Sequence, residues 1–124
     1  MEIQKKKILI IEDEKPMAHA LELKLTHEGF EAKSVFSGEE GIAILKSEGF
    51  DLVLLDLIMP KVDGFKVLGM LKEQNIKTPV IILTNLSQEE DEKRARDLGA
   101  VEFFIKSNTP IAQIVERVKE KLSV

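Results

Sequence analysis

The 124 residues carry a formal charge of −4, from 18 lysines and arginines against 22 acidic residues, and 44% of them are hydrophobic. This length and composition are typical of one soluble domain, so we expect residues 1–124 to form a single domain with no output domain attached. The absence of cysteine excludes disulfides, thiolate metal sites and cysteine nucleophiles, and the negative charge argues against direct nucleic-acid binding. No apolar run approaches a membrane span and no signal peptide is visible, so we expect a cytoplasmic protein without a membrane partner.

Short apolar segments alternate with amphipathic segments along the chain. In chain order the predicted elements are strand 7–11, helix 15–28, strand 31–35, helix 37–48, strand 52–55, helix 64–74, strand 80–83, helix 87–99, strand 101–105 and helix 110–122. Such alternation predicts a parallel sheet with right-handed crossovers and helices on both faces. The first, third and fourth strands are the most apolar and should be central. The predicted fold is therefore α/β, a flavodoxin-like doubly wound (βα)5 three-layer sandwich with strand order 2-1-3-4-5.

Capping residues and prolines mark the predicted helix starts. Pro16 suits the first turn of the first helix, where its missing N–H costs nothing. Ser37–Glu40 and Ser87–Glu90 have the serine-to-glutamate spacing of a capping box, and Asp63 is placed to cap the third helix. Thr109–Pro110 is predicted to be an N-cap followed by proline at the first helical position.

Charged or hydroxylic residues stand at the ends of four strands. Glu12 and Asp13 follow the first strand and Asp56 follows the third. Thr84 stands at the end of the fourth strand and Lys106 follows the fifth. Because the carboxyl ends of parallel strands share one edge of the sheet, we expect these side chains to form one site. Clustered carboxylates repel one another unless a cation joins them, and an all-oxygen site without His or Cys suits Mg²⁺, which Mn²⁺ can replace.

The chemistry predicted for this site is phosphoryl transfer. Asp56 is a candidate nucleophile toward phosphorus, giving an acyl phosphate. Mg²⁺ and Lys106 would neutralise charge on the transferred oxygens, and Thr84 could donate a hydrogen bond to one of them. The acidic loop 12–14 would repel the phosphate of a flavin nucleotide, and no Gly-x-Gly-x-x-Gly or Walker A sequence is present.

At these positions the sequence resembles the receiver domain of bacterial two-component response regulators. The resemblance covers essentially the whole chain. The motifs in register are Glu12-Asp13, Asp56 to Pro60 with Asp63-Gly64, Thr84, and Lys106. It implies that Asp56 accepts a phosphoryl group from a sensor histidine kinase or a phosphotransfer protein. It also implies that Asp13, Asp56 and the backbone carbonyl of Ile58 bind Mg²⁺ directly, with Glu12 acting through water.

The resemblance further implies a switch. Lys106 would contact the phosphoryl group, Thr84 would move toward it, and Phe103 would rotate inward behind Thr84. The face of the fourth helix, fifth strand and fifth helix would then change its preference among protein partners, with a coupling of about 1–3 kcal/mol typical of such switches. The implied protein is an autocatalytic phosphoacceptor and not a turnover enzyme. It would act on an unidentified downstream protein, as a monomer or a phosphorylation-dependent homodimer.

Three residues depart from the usual pattern of this family. Ser107 stands where proline usually follows the lysine, so the usual cis peptide is not implied here. Asn85 replaces a small residue after the threonine and would narrow access to the phosphate. Ile58, two positions after the acceptor, cannot position an attacking water, so slow loss of the phosphoryl group is expected.

Two other functions fit part of the pattern. A pseudo-receiver with the same fold would bind partners without phosphorylation, and the departures at Asn85 and Ser107 are compatible with it. A magnesium-dependent phosphohydrolase would also use Asp56 as a nucleophile. Such enzymes usually carry a second carboxylate two residues later, where this chain has Ile58.

Overall fold

The computed structural model describes residues 4–123. Its strands are β1 (Lys7–Ile11), β2 (Glu31–Val35), β3 (Leu52–Leu55), β4 (Val80–Thr84) and β5 (Glu102–Ile105). Its helices are α1 (Lys15–His27), α2 (Gly38–Ser47), α3 (Gly64–Glu73), α4 (Glu89–Asp97) and α5 (Ile111–Leu122), with a 3₁₀ turn at Lys106–Asn108. All strand pairs are parallel, in the order β2-β1-β3-β4-β5. The predicted fold class, strand order and edge positions are confirmed.

The sheet separates two apolar layers, and β1 contributes to both. Ile8 and Ile10 belong to the cluster that contains the buried residues of α1 and α5, whereas Leu9 and Ile11 belong to the cluster of α2, α3 and α4. Successive side chains of a strand point to opposite faces, so a strand covered on both sides has to be apolar throughout. All four residues of β3 are likewise buried. These layers hold the strand ends in fixed positions.

The start of α3 lies directly behind the end of β3. A Cβ atom on Gly64 would lie 2.4 Å from the backbone oxygen of Asp56 and 2.7 Å from Cα of Leu57. The Gly64 N–H donates to the carbonyl of Leu57 at 3.0 Å, and Asp63 accepts from the N–H of Lys66 at 2.9 Å as the helix cap. Only glycine allows this close approach of the helix to the backbone that carries Asp56.

Two predicted helix caps were wrong. The cap of α4 is Gln88 and makes no side-chain hydrogen bond, so Ser87 lies one residue too early for its hydroxyl to reach the first turn. The cap of α5 is Pro110, and the hydroxyl of Thr109 donates instead to the carbonyl of Ile105 at 2.9 Å. The remaining start signals are confirmed: proline in the first turn of α1, the serine cap of α2 and the aspartate cap of α3.

Across the described residues 4–123, none of the helices combines the length and the apolar character that a membrane span requires.

Candidate functional site

Asp56 lies at the centre of the carboxyl edge of the sheet. It follows β3, and its N–H donates to the carbonyl of Ile11 at the end of β1 at 3.0 Å. The side chain is buried, with only 4% of its surface exposed. One carboxylate oxygen, Oδ1, accepts from the N–H of Ile58 at 3.2 Å, and the other, Oδ2, lies 3.1 Å from Nζ of Lys106. Both oxygens of Asp56 therefore have fixed directions.

Lys106 joins three carboxylates at this edge. Its Nζ lies 2.5 Å from Oε1 of Glu12, 3.0 Å from Oε1 of Glu14 and 3.1 Å from Oδ2 of Asp56. Burial by itself lowers the pKa of Lys106, but the three carboxylates outweigh this effect and the pKa is raised. The three carboxylates therefore favour the charged form of the amine, and the 3₁₀ turn that follows β5 begins at Lys106.

Glu12 is a buried carboxylate at the end of β1. Burial raises its pKa well above the usual range, and the nearby charge of Asp56 adds to the rise. The ammonium of Lys106 and the N–H of Glu14, which donates to Oε2 of Glu12 at 3.0 Å, act in the opposite direction. A second cation beside Glu12 and Asp56 would therefore relieve the cost of keeping both carboxylates ionised.

Glu12, Asp13 and Asp56 have the arrangement of a divalent-cation site. Each offers one carboxylate oxygen, and these oxygens lie within 4.8 Å of one another. All the donors are oxygens, as hard cations such as Mg²⁺ prefer. A cavity of about 230 Å³ opens here, and its lining residues are Asp13, Glu14, Asp56, Ile58, Asn85 and Lys106. The residues present thus fit a magnesium ion.

The predicted site residues fall into two groups. Glu12, Asp13, Asp56 and Lys106 form the cluster just described, and the exposed side chain of Ile58 lines its cavity. Thr84 ends β4 in a fully buried position, and its hydroxyl accepts from the N–H of Leu86 at 3.4 Å.

The structure also shows the surroundings of Phe103, the second proposed switch residue, and of the positions that depart from the family pattern. Phe103 is half-buried and packs against the apolar cluster that α2, α3 and α4 share. The Lys106–Ser107 peptide is trans, as are the other peptides of residues 4–123. At the third departure from the family pattern, Asn85 is exposed and lines the cavity.

Glu14 is a site residue that sequence reasoning missed. Its carboxylate contacts Lys106, which lies 92 positions away, and it lines the same cavity as Asp56. The sequence signal that could have identified Glu14 was the acidic triplet Glu12-Asp13-Glu14. All three carboxylates follow the same strand, so the third could be expected at the same edge of the sheet as the first two.

The fold and the site define the class of this protein before any comparison. A 2-1-3-4-5 parallel sheet with a carboxylate cluster and a buried lysine at its carboxyl edge is a flavodoxin-like α/β domain with an acidic site in place of a nucleotide site. A family model, the response regulator receiver domain, matches residues 8–119. The chain belongs to this family, as its motifs predicted.

Known relatives agree with this assignment. Transcriptional regulatory protein DltR of Streptococcus agalactiae serotype III (strain NEM316) is 37% identical over 100 residues, which cover 81% of this chain and 45% of that protein. The Francisella response regulator 1452 receiver domain superposes with a TM-score of 0.91 at 28% identity, covering 96% of this chain and 98% of that chain. The phosphorylated cyanobacterial phytochrome response regulator RcpA superposes with a TM-score of 0.82 at 31% identity, covering 94% and 93%. The chain spans about half the length of the curated relatives it matches.

Proposed function

We propose that this domain accepts a phosphoryl group on Asp56 from a sensor histidine kinase or a phosphotransfer protein, in a magnesium-dependent reaction. The observation that carries the proposal is the environment of Asp56, a buried carboxylate whose Oδ2 lies 3.1 Å from the Lys106 ammonium and beside two further acidic residues. The similar receiver RcpA is described as phosphorylated, which supports the same chemistry here.

In the proposed step an oxygen of Asp56 attacks the phosphorus of a phosphohistidine. The bond between phosphorus and the imidazole nitrogen breaks, and its electron pair remains on that nitrogen. The product is an acyl phosphate on Asp56 and a free histidine on the donor. Lys106 donates a hydrogen bond to a phosphoryl oxygen and offsets the charge that develops there.

Glu12, Asp13 and Asp56 would hold the magnesium ion, for which Mn²⁺ could substitute. Asp13, Asp56 and the backbone carbonyl of Ile58 are the proposed direct ligands, and Glu12 the ligand acting through water. When bound, the ion supplies positive charge beside the transferred oxygens. The close approach of three carboxylate oxygens and the raised pKa of buried Glu12 support a cation here.

The proposed output is a change in protein contacts on the surface formed by α4, β5 and α5. Thr84 would exchange its hydrogen bond from the Leu86 N–H, which is long at 3.4 Å, for a phosphoryl oxygen. Phe103 would turn inward from its half-buried position. The domain would accept the phosphoryl group and then signal to a downstream protein through this surface. It would not release a product of its own.

Intact mass after incubation with acetyl phosphate, with and without Mg²⁺, tests this proposal. We expect the gain of one phosphoryl group in the presence of Mg²⁺ and no gain in an Asp56→Asn variant. No gain from the folded wild-type protein in any condition would overturn the proposal in favour of a phosphorylation-independent pseudo-receiver. Continuous turnover of a generic phosphoester would instead indicate a phosphohydrolase.

A further inference from the structure

Glu14 connects the start of α1 to the ammonium group beside Asp56. It is the N-cap residue of α1, but its side chain makes no capping hydrogen bond. Its Oε1 lies instead 3.0 Å from Nζ of Lys106, while 62% of its side chain remains exposed. Glu14 is therefore a largely exposed carboxylate paired with the ammonium of Lys106, and α1 does not use its side chain as a cap.

Three carboxylates take up the hydrogen-bonding capacity of Lys106. An ammonium group has three N–H donors, and oxygens of Glu12, Glu14 and Asp56 all lie within 3.1 Å of Nζ. A phosphoryl oxygen on Asp56 therefore has to share Nζ with these carboxylates or displace one of them.

Glu14 is the carboxylate that can leave most easily. The side chain of Glu12 is 3% exposed, so its release would leave a buried carboxylate without its cation. Asp56 loses its negative charge when the acyl phosphate forms, so Glu12 and Glu14 are the carboxylates that remain in competition for Nζ. The largely exposed carboxylate of Glu14 can be rehydrated at once, and exposed ion pairs contribute little to stability.

Building on the function proposed above, we propose that Glu14 competes with the phosphoryl group for Lys106. The Glu14–Lys106 ion pair would be present in the unphosphorylated domain and released on phosphorylation. Glu14 would thus be a positioning residue that sets how tightly a phosphoryl group is held, although it does not touch the reacting atoms.

Binding of beryllofluoride, a stable phosphoryl analogue, in the presence of Mg²⁺ tests this inference without phosphoryl transfer. Half-saturation would be followed by the backbone amide NMR signals of the folded domain. The comparison uses Glu14→Gln, which removes the charge, and Glu14→Asp, which keeps the charge but shortens its reach by one methylene. Glu73→Gln is the matched control, since Glu73 is an exposed carboxylate at the far end of α3.

We expect both Glu14 variants to reach half-saturation at a beryllofluoride concentration about two- to fivefold lower than the wild type, the size of an exposed ion pair. The Glu73→Gln variant should match the wild type. Unchanged or weaker binding in Glu14→Gln would overturn the inference. Tighter binding in Glu14→Gln with wild-type binding in Glu14→Asp would also overturn it, because general charge repulsion would then be the cause. No binding to the wild type would overturn the proposed function itself.

Discussion

Nζ of Lys106 lies 3.1 Å from Oδ2 of Asp56, although the two residues are 50 positions apart and follow strands that are not neighbours. β4 lies between β3 and β5, and it ends in the buried Thr84. The ion pair therefore joins residues that follow the two neighbours of β4, the strand that ends in the proposed switch residue Thr84. A group added to Asp56 would change the surroundings of Lys106 and of the β4 end together.

Loss of the Lys106 charge should destabilise the domain. A Lys106→Met variant would leave buried Glu12 and Asp56 without their cation, and breaking one side of a buried ion pair costs about 3–5 kcal/mol. Urea unfolding should show this loss in the absence of Mg²⁺ and a smaller loss with Mg²⁺ in excess. In the control Lys93→Met, an exposed pair with Asp97 is lost, and the change should stay within about 1 kcal/mol. Equal losses in the two variants would contradict the buried pair.

Two glycines of the same helix should respond in opposite ways to alanine. In Gly64→Ala the new Cβ meets the backbone oxygen of Asp56, so we expect a loss of about 1–3 kcal/mol. Gly69 has no neighbouring atom within 4 Å of an added Cβ, and Gly69→Ala should stabilise α3 by about 0.5–1 kcal/mol. Chemical denaturation of both variants decides the question, and a neutral Gly64→Ala would disprove the close approach of α3 to the acceptor backbone.

The ion pair between Glu28 and Lys119 should make the α1–α5 contact sensitive to acid. The ammonium of Lys119, within hydrogen-bonding distance, lowers the pKa of Glu28. A lowered pKa adds stability above the ordinary glutamate pKa, and this stability is lost as the pH falls through the lowered value. We therefore expect Glu28→Gln to lower the melting temperature at pH 7 and to leave it unchanged near pH 3. A difference that persists at pH 3 would argue against an electrostatic contribution.

The exposed side chain of Ile58 should prolong the life of the proposed acyl phosphate. It lines the cavity, 51% exposed, and offers no group that could orient a water for attack on phosphorus. An Ile58→Asn variant supplies such a group, and we expect its phosphoryl half-life to be shorter by on the order of tenfold, or about 1.4 kcal/mol in the barrier. An Ile58→Leu control should keep the wild-type half-life. Decay of the phosphorylated mass would be followed after removal of the donor, and equal half-lives for Asn and wild type would end this hypothesis.

The sequence predicted the strands better than the helix starts. β1 and β3 are covered on both faces, and their continuous apolar runs are compatible with few structures other than a central strand. The polar residues that follow these two strands then lie at the same edge of the sheet. The start of α4 was predicted one to two residues early, because the same serine-to-glutamate spacing is compatible with neighbouring starts when four acidic residues occupy the first turn. The Glu14–Lys106 contact joins residues 92 positions apart, and no local pattern reports such a pair.

The complete burial of β3 means that its length cannot be changed when the protein is engineered. Its four residues alternate between two apolar layers, so one residue inserted within it would exchange the layers and turn Asp56 away from Lys106. In the segment that precedes the strand, Gly49 is exposed and has no atom within 4 Å of an added Cβ, whereas Glu48 and Asp51 contact Lys7 and Phe50 is buried. A fluorescent tag or a reporter domain is therefore better placed at Gly49 itself than anywhere between β3 and the acidic edge.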